Sequence, residues 1–229
     1  DTNFLTDMRI FSIFVQRIWG QMSNWILVAL PMFIFMGLML ERSGVTEKLM
    51  SNFVQLFGRF RGGLALGVVL IGILLAASTG IVGASVVMLS LLALPVMLDK
   101  RYSVGLATGT IAASGTLGIL IPPSIMLIIL GDQLRVPIGD LFMGAVYPGL
   151  LLAGMYFLYI ILVAIFSPKR MPPPPQADPV PAWKAVLSLL LDLVAPMLLI
   201  LSVLGTIIAG IATPTEAAAV AVIYADRAK

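Results

Sequence analysis

The chain has 229 residues, 60% of them hydrophobic and only 11% charged, and its mean hydropathy is +1.07; a soluble domain is nearer half apolar and a quarter charged. This composition belongs to an all-α polytopic membrane protein. With no histidine and no cysteine, imidazole bases, thiolate chemistry, disulfides and the usual zinc sites are excluded, so neither enzyme activity nor a cofactor is expected, and the net charge of +3 includes no basic cluster interleaved with aromatics, so no nucleic-acid partner is expected.

Residues 4–22 set Phe4, Met8, Phe11, Val15 and Ile18 at helical spacing against Asp7, Arg9, Gln16 and Arg17. The pattern predicts an amphipathic helix, either in the membrane interface or packed on a neighbour. Trp19 and Trp25 suit the aromatic belt. Residues 25–40, with Pro31 inside, form the first spanning candidate, stopped by Glu41 and Arg42. Residues 45–60 alternate Val45, Leu49, Phe53, Leu56 and Phe60 with Glu47, Lys48, Asn52 and Arg59, as expected of a helix along the membrane surface that serves as a connecting arm. Residues 1–60 therefore read as scaffold-like. The start at Asp1 without a basic leader suggests a chain that begins inside a longer protein.

Residues 62–77 and 84–98 are two apolar runs, each about 24 Å long as helix against a hydrocarbon core of about 30 Å. Between them lies Ser78-Thr79-Gly80-Ile81-Val82-Gly83-Ala84-Ser85, small, polar and uncharged. Arg59 and Arg61 precede the pair and Lys100 and Arg101 follow it, which puts both basic ends on the cytoplasmic side. A re-entrant helical hairpin over 62–98 is the economical arrangement; two short tilted spans would give the same charge pattern. Residues 103–134 form a long apolar segment broken at Pro122-Pro123, and with the hairpin they make up a transport-type region, 61–135. Asp132, Arg135 and Asp140 mark the far side. Residues 145–166, within a unit of 136–170, span back to Lys169 and Arg170. Met171 to Pro181 is Pro-rich and predicted to be an extended linker, 171–182, on the cytoplasmic side. The last unit, 183–229, holds a span over about 186–209, with Asp192 shallow in it, and a helix opened by Pro214 in its first turn.

The chemistry concentrates at the break. A proline lacks an amide donor, so Pro122 frees the carbonyl of Gly118 and Pro123 that of Ile119, while Ile121 is pushed toward an extended conformation. Carbonyls freed at membrane depth need protein, water or an ion, and an unpaired one costs about 1–3 kcal/mol. The carbonyls of Gly118, Ile119 and Ile121, with the hydroxyls of Ser78 and Thr79, offer neutral oxygens to a small hard cation such as sodium. The bland alternative is a kinked helix whose carbonyls are met by Ser, Thr or water. Gly80, Gly83, Gly115 and Gly118 permit close backbone approach. Ser114 and Thr116 lie near enough to the break to meet a polar solute, whereas Thr108 and Thr110 suit backbone bonding within helices. Gly63, Gly67 and Gly72 suit helix packing. Thr213 with Glu216 forms a capping box, with an ion role for Glu216 as the sharper alternative.

Ser114-Gly115-Thr116-Leu117-Gly118-Ile119-Leu120-Ile121-Pro122-Pro123-Ser124 resembles a signature of the large membrane subunit (DctM-like permease) of tripartite ATP-independent periplasmic (TRAP) transporters. Ala212-Thr213-Pro214-Thr215-Glu216-Ala217-Ala218 resembles a second, and Ala29 to Gly37 followed by Glu41-Arg42-Ser43-Gly44 a third. The resemblance runs from about residue 4 to 224, in the order of an N-terminal half. It implies an elevator-type secondary transporter of the bacterial inner membrane, built from inverted repeats and coupled to sodium. Such a transporter imports an organic acid delivered by a periplasmic binding protein and works with a small membrane subunit. The implied sodium site uses Ser78 or Thr79 with Gly118, Ile121 and Pro123. Gly80, Gly83, Ser85, Ser114, Thr116, Pro122 and Ser124 become candidates for the substrate path or gate. The chain holds one hairpin and one broken helix, so the second repeat is expected outside it and transport by this chain alone is not. A reading from a different class is an ion-channel subunit with a carbonyl-lined filter at the Pro-Pro break.

Overall fold

The computed structural model describes residues 8–42, 44–57, 61–171 and 182–227. All regular structure among them is helical. The order begins α1 (Met8–Met22), α2 (Trp25–Arg42), α3 (Val45–Phe57), α4 (Gly63–Thr79) and α5 (Val82–Asp99). It continues α6 (Val104–Thr116), α7 (Ile125–Leu134), α8 (Ile138–Phe166), α9 (Ala182–Ile208) and α10 (Pro214–Arg227). By length and apolar content α5, α8 and residues 186–208 of α9 can each cross a membrane, and α1 and α2 form a pair bent by 41°. This is the architecture of a polytopic α-helical membrane protein.

Two cores hold the helices together. One gathers Leu49 and Phe53 of α3, Val68 and Ile71 of α4, Leu89 and Met97 of α5, Ile111 of α6 and Ile160 of α8. The other joins Ala29 and Phe33 of α2, Ile128 of α7, Phe142 of α8, Val203 and Ile207 of α9 and Ala217 of α10. Lipid is as apolar as leucine, so helices here associate through close packing rather than water exclusion. Small residues permit it. A Cβ added at Gly67 would lie 3.3 Å from that of Phe53, one at Gly72 would collide with Ser114, and one at Gly115 would run into Val86. Gly67 and Gly72 thus prove to be packing positions.

Polar side chains fasten the elements at their ends. The Asn24 side-chain carbonyl accepts the Ile26 amide at 3.0 Å and caps α2, while its amide donates to Asp132 of α7 at 2.8 Å. Asn52 of the arm helix donates to Asp192 of α9. At the basic end, Tyr102 of the α5–α6 link is buried, and burial raises its phenol pKa while backbone hydrogen bonds from Leu64, Ala65 and Gly62 oppose the rise. Beside it the Ser103 amide donates to the Arg170 carbonyl at 3.1 Å.

Three boundaries depart from expectation. α8 starts at Ile138, not near 145: Pro137 opens the turn, Asp140 complements the helix dipole in the first turn, and nothing between them stops the helix. Met171, expected at the head of an extended linker, is fully buried beside Gly62. α9 begins at Ala182. The remainder of the linker, Pro172 to Pro181, lies outside the described residues, as do Phe4, Arg59 and Phe60.

Two glycines of α6 test the packing account. Gly115→Ala is expected to cost about 1–3 kcal/mol by overpacking, because the backbone of Val86 lies 3.2 Å from the new methyl. Gly109→Ala meets nothing within 4 Å and is expected to be neutral or to gain up to about 1 kcal/mol of helix propensity. Unfolding of both variants in detergent compares them directly.

Candidate functional site: a hairpin turn against a broken helix

α4 and α5 are joined by two residues. Gly80 takes φ +61 and Ile81 is extended at φ −125, ψ 115. The left-handed turn at Gly80 is one that side-chain-bearing residues adopt at a cost, and space enforces the same choice. An added Cβ would stand 3.2 Å from the Pro123 carbonyl oxygen and 3.1 Å from the Ile125 amide. The hairpin turn therefore lies directly on the break.

The break itself follows from the prolines. α6 runs to Thr116 and tightens into a short 3₁₀ turn, Leu117–Ile119. The amides of Leu120 and Ile121 both donate to the Leu117 carbonyl, at 3.0 and 2.9 Å. Pro122 and Pro123 follow, joined by a cis peptide, then Ser124 in an extended conformation before α7. Each carbonyl can be followed in turn. Ile119 loses its donor to Pro123, and the buried Ser124 hydroxyl replaces it at 2.8 Å. Gly118 loses its donor to Pro122, and the amide one position earlier is already spent on Leu117. The Pro123 carbonyl faces Gly80. α8 closes the other side, where a Cβ at Gly149 would stand 3.1 Å from Ile121 Cγ1 and 3.3 Å from the Leu120 oxygen.

Four helix ends meet here. The C-terminal ends of α4 and α6 bring partial negative charge; the N-terminal ends of α5 and α7 bring partial positive charge. Among the described residues no three carboxylate or imidazole side chains gather into a metal-binding group, and the backbone oxygens that meet at this junction are neutral.

The anticipated residues divide. Gly80, Gly118, Pro122 and Pro123 are buried and brought together, with Ile121 half-buried at their edge. Ser78 and Thr79 form the last turn of α4; their side chains lie outside the described residues. Ser114 is fully buried against Gly72, and its hydroxyl bonds the Thr110 and Ile111 carbonyls at 2.6 and 3.1 Å. Ser124 is likewise occupied by Ile119, and buried Ser85 donates to the Ile81 carbonyl at 3.0 Å. Thr116 stays exposed, donating to Ala113 at 2.7 Å and lying 3.5 Å from the Tyr156 hydroxyl. Gly83 is exposed with open space beside it. Thr108 bonds the Val104 carbonyl of its own helix at 2.9 Å. Sequence reasoning missed Gly149, which carries no local signal, and the Ile125 amide, whose place opposite Gly80 depends on tertiary structure.

Thr213 and Glu216 lie away from this junction, in the turn before α10. The Thr213 amide and hydroxyl both donate to Glu216 Oε2 at 2.8 Å. These bonds, the amide first, hold the exposed Glu216 carboxyl below its ordinary value. They form a capping box.

A helical membrane protein with a broken helix against a hairpin turn is the class that fold and site define. The family description "Tripartite ATP-independent periplasmic transporter, DctM component" matches residues 2–225, and the chain belongs to that family. It is 37% identical over 201 residues to the C4-dicarboxylate TRAP transporter large permease DctM of Vibrio cholerae, covering 88% of this chain and 43% of the relative. The ectoine TRAP transporter large permease TeaC of Halomonas elongata is 34% identical over 87% of this chain and 45% of its own length. The sialic acid TRAP transporter large permease SiaM of Vibrio cholerae is 31% identical over 96% of this chain and 50% of its own length. The chain thus spans about half the length of the curated relatives it matches. These relatives are transporter permeases rather than enzymes, and they lend no support to a channel.

Two outcomes test the local chemistry. Ser124→Ala is expected to destabilise by about 1 kcal/mol, because the Ile119 carbonyl loses its donor; Ser124→Thr, which keeps the hydroxyl, should retain more of the stability in the same unfolding experiment. The Glu216 carboxyl is depressed in the folded state, so its cap is fully present above the ordinary value of 4.5 and is lost as pH falls through the lower folded value. Amide protection around Thr213 should therefore fall in acid for the wild type but change little for Glu216→Ala.

Proposed function

We propose that this chain supplies one ion-coupling site of a sodium-driven permease that imports an organic acid handed over by a periplasmic binding protein, in company with a small membrane subunit in the bacterial inner membrane. The observation that carries the proposal is the apposition of the Gly80 turn on the Pro122-Pro123 break. The Gly118 carbonyl has lost its helical donors, and the last turn of α4 brings Ser78 and Thr79 to the same junction. Ser78 or Thr79, Gly118, Ile121 and Pro123 form the sodium-binding set, and neutral oxygens suffice for a monovalent ion. The opposed helix ends suit the joint arrival of a cation and a carboxylate, and the dicarboxylate and sialic acid in two relatives' names are acids. Thr116, Gly80 and Gly83 border the route for solute.

The place of the turn, against the middle of the broken segment, supports a re-entrant hairpin that stops inside the bilayer. From the break, the 13 residues of α6 extend about 20 Å one way and the 10 residues of α7 about 15 Å the other. If the broken segment crosses the membrane, Gly80 lies near its middle. Elevator movement of the 61–135 region past the remaining helices completes the proposal.

The experiment is uptake by the full-length transporter with its binding protein in proteoliposomes under a controlled sodium gradient. Thr79→Val and Gly118→Leu are each expected to lower sodium-dependent uptake by at least about tenfold, the equivalent of about 1.4 kcal/mol. Unchanged uptake and unchanged sodium dependence in both variants would remove the sodium site from this junction without touching the family membership.

A further inference from the structure

The basic end of the bundle collects cations from three separate stretches of chain: Arg61, Lys100 with Arg101, and Lys169 with Arg170. Tertiary structure brings them together. The Ser103 amide bonds the Arg170 carbonyl at 3.1 Å. A Cβ at Gly62 would lie 2.9 Å from the buried Met171 sulfur. Buried Tyr102 bonds the backbone at the start of α4. Four of the cations are exposed and Lys100 is half-buried, and Asp99 is the acidic neighbour among the described residues of these stretches.

Arg101 adds a separate observation. It sits at the end of α5 with φ 60, its amide bonded to the Leu98 carbonyl at 2.9 Å and the next amide to Met97 at 3.0 Å. Glycine is the unstrained residue for that left-handed helix cap. A charged side chain is held where the backbone favours none, as at Arg135 (φ 55), but here at the end of the bundle that carries four other cations. A bound anion offsets that concentration of like charge.

We propose that this end is a docking plate for anionic phospholipid headgroups. The neighbouring surface selects a lipid over a soluble anion. Directly beneath Lys169 and Arg170, α8 exposes Ile165 at 65% and Phe166 at 79%, and α8 is long and apolar enough to cross the membrane. Phosphate on the cations and acyl chain on the last turn of α8 is the complement that a phospholipid supplies. The positive-inside bias puts this plate in the cytoplasmic leaflet. The proposal rests on the membrane class of the protein and is independent of sodium coupling.

The test is thermal unfolding of the detergent-purified full-length transporter with added phosphatidylglycerol, phosphatidylcholine or inorganic phosphate. Phosphatidylglycerol is expected to raise the midpoint by about 4 °C or more over phosphatidylcholine, inorganic phosphate to leave it unchanged, and the rise to shrink at high salt. Arg101→Gly, which relaxes the backbone and so guards against misfolding, should keep or raise the midpoint in phosphatidylcholine while losing part of the phosphatidylglycerol increment. Lys169→Gln/Arg170→Gln should lose more of it, whereas Arg17→Gln/Arg135→Gln, equal in charge but elsewhere, should keep it. Equal increments from both lipids, an increment from inorganic phosphate alone, or full retention of the increment in Arg101→Gly and Lys169→Gln/Arg170→Gln would each overturn the proposal.

Discussion

A backbone carbonyl at membrane depth has to find a donor, and two consecutive prolines remove two donors from one turn. Much of the molecule is arranged around that deficit. Ser124 turns its hydroxyl back onto Ile119, Leu117 takes two amides at once, and the Pro123 oxygen is left facing the turn between α4 and α5. Gly80 and Gly149 lack side chains on either side of the break, so the hairpin and α8 can close on exposed backbone rather than on a layer of side chains. The result is a pocket of polarity with no charged group in its making, surrounded by apolar helix.

The same helices explain why the junction holds its shape. α6 lies against both arms of the hairpin, with Ser114 seated on Gly72 and Val86 on Gly115. A membrane supplies no water-driven collapse between helices, so contacts at this spacing and the hydrogen bonds at helix ends do the fastening. The arm helix contributes Leu49 and Phe53 to one core and reaches α9 through Asn52 and Asp192. The α10 capping box sits at the opposite end, built from local sequence alone.

How much of this could be read from sequence depends on the range of the cause. Proline and glycine act over one helical turn, so the break at 122–123, a turn within 78–85 and the cap at 213–216 were legible, and so was the order of helices. The orientation of hydroxyls was not. α6 spreads four hydroxyls around its circumference, so no periodicity tells whether Ser114 faces a neighbour or a solute; tertiary contact with Gly72 decides it. The early start of α8 was hidden by Asp140, a residue that looks like a boundary and instead favours a helix start. Met171 read as linker because its neighbours are prolines, yet it is buried against Gly62, where no side chain stands in its way. Asn24 offered a legible capping signal, but its second partner lies 108 positions away.

That second partner has a mechanical consequence. One side-chain amide group does two jobs at Asn24: its oxygen closes the start of α2 and its nitrogen tethers the end of α7. The two bonds are separable. If α7 swings away, Asp132 releases the nitrogen while the oxygen goes on closing α2, so the outer end of the broken helix can detach without unwinding the helix it leaves behind.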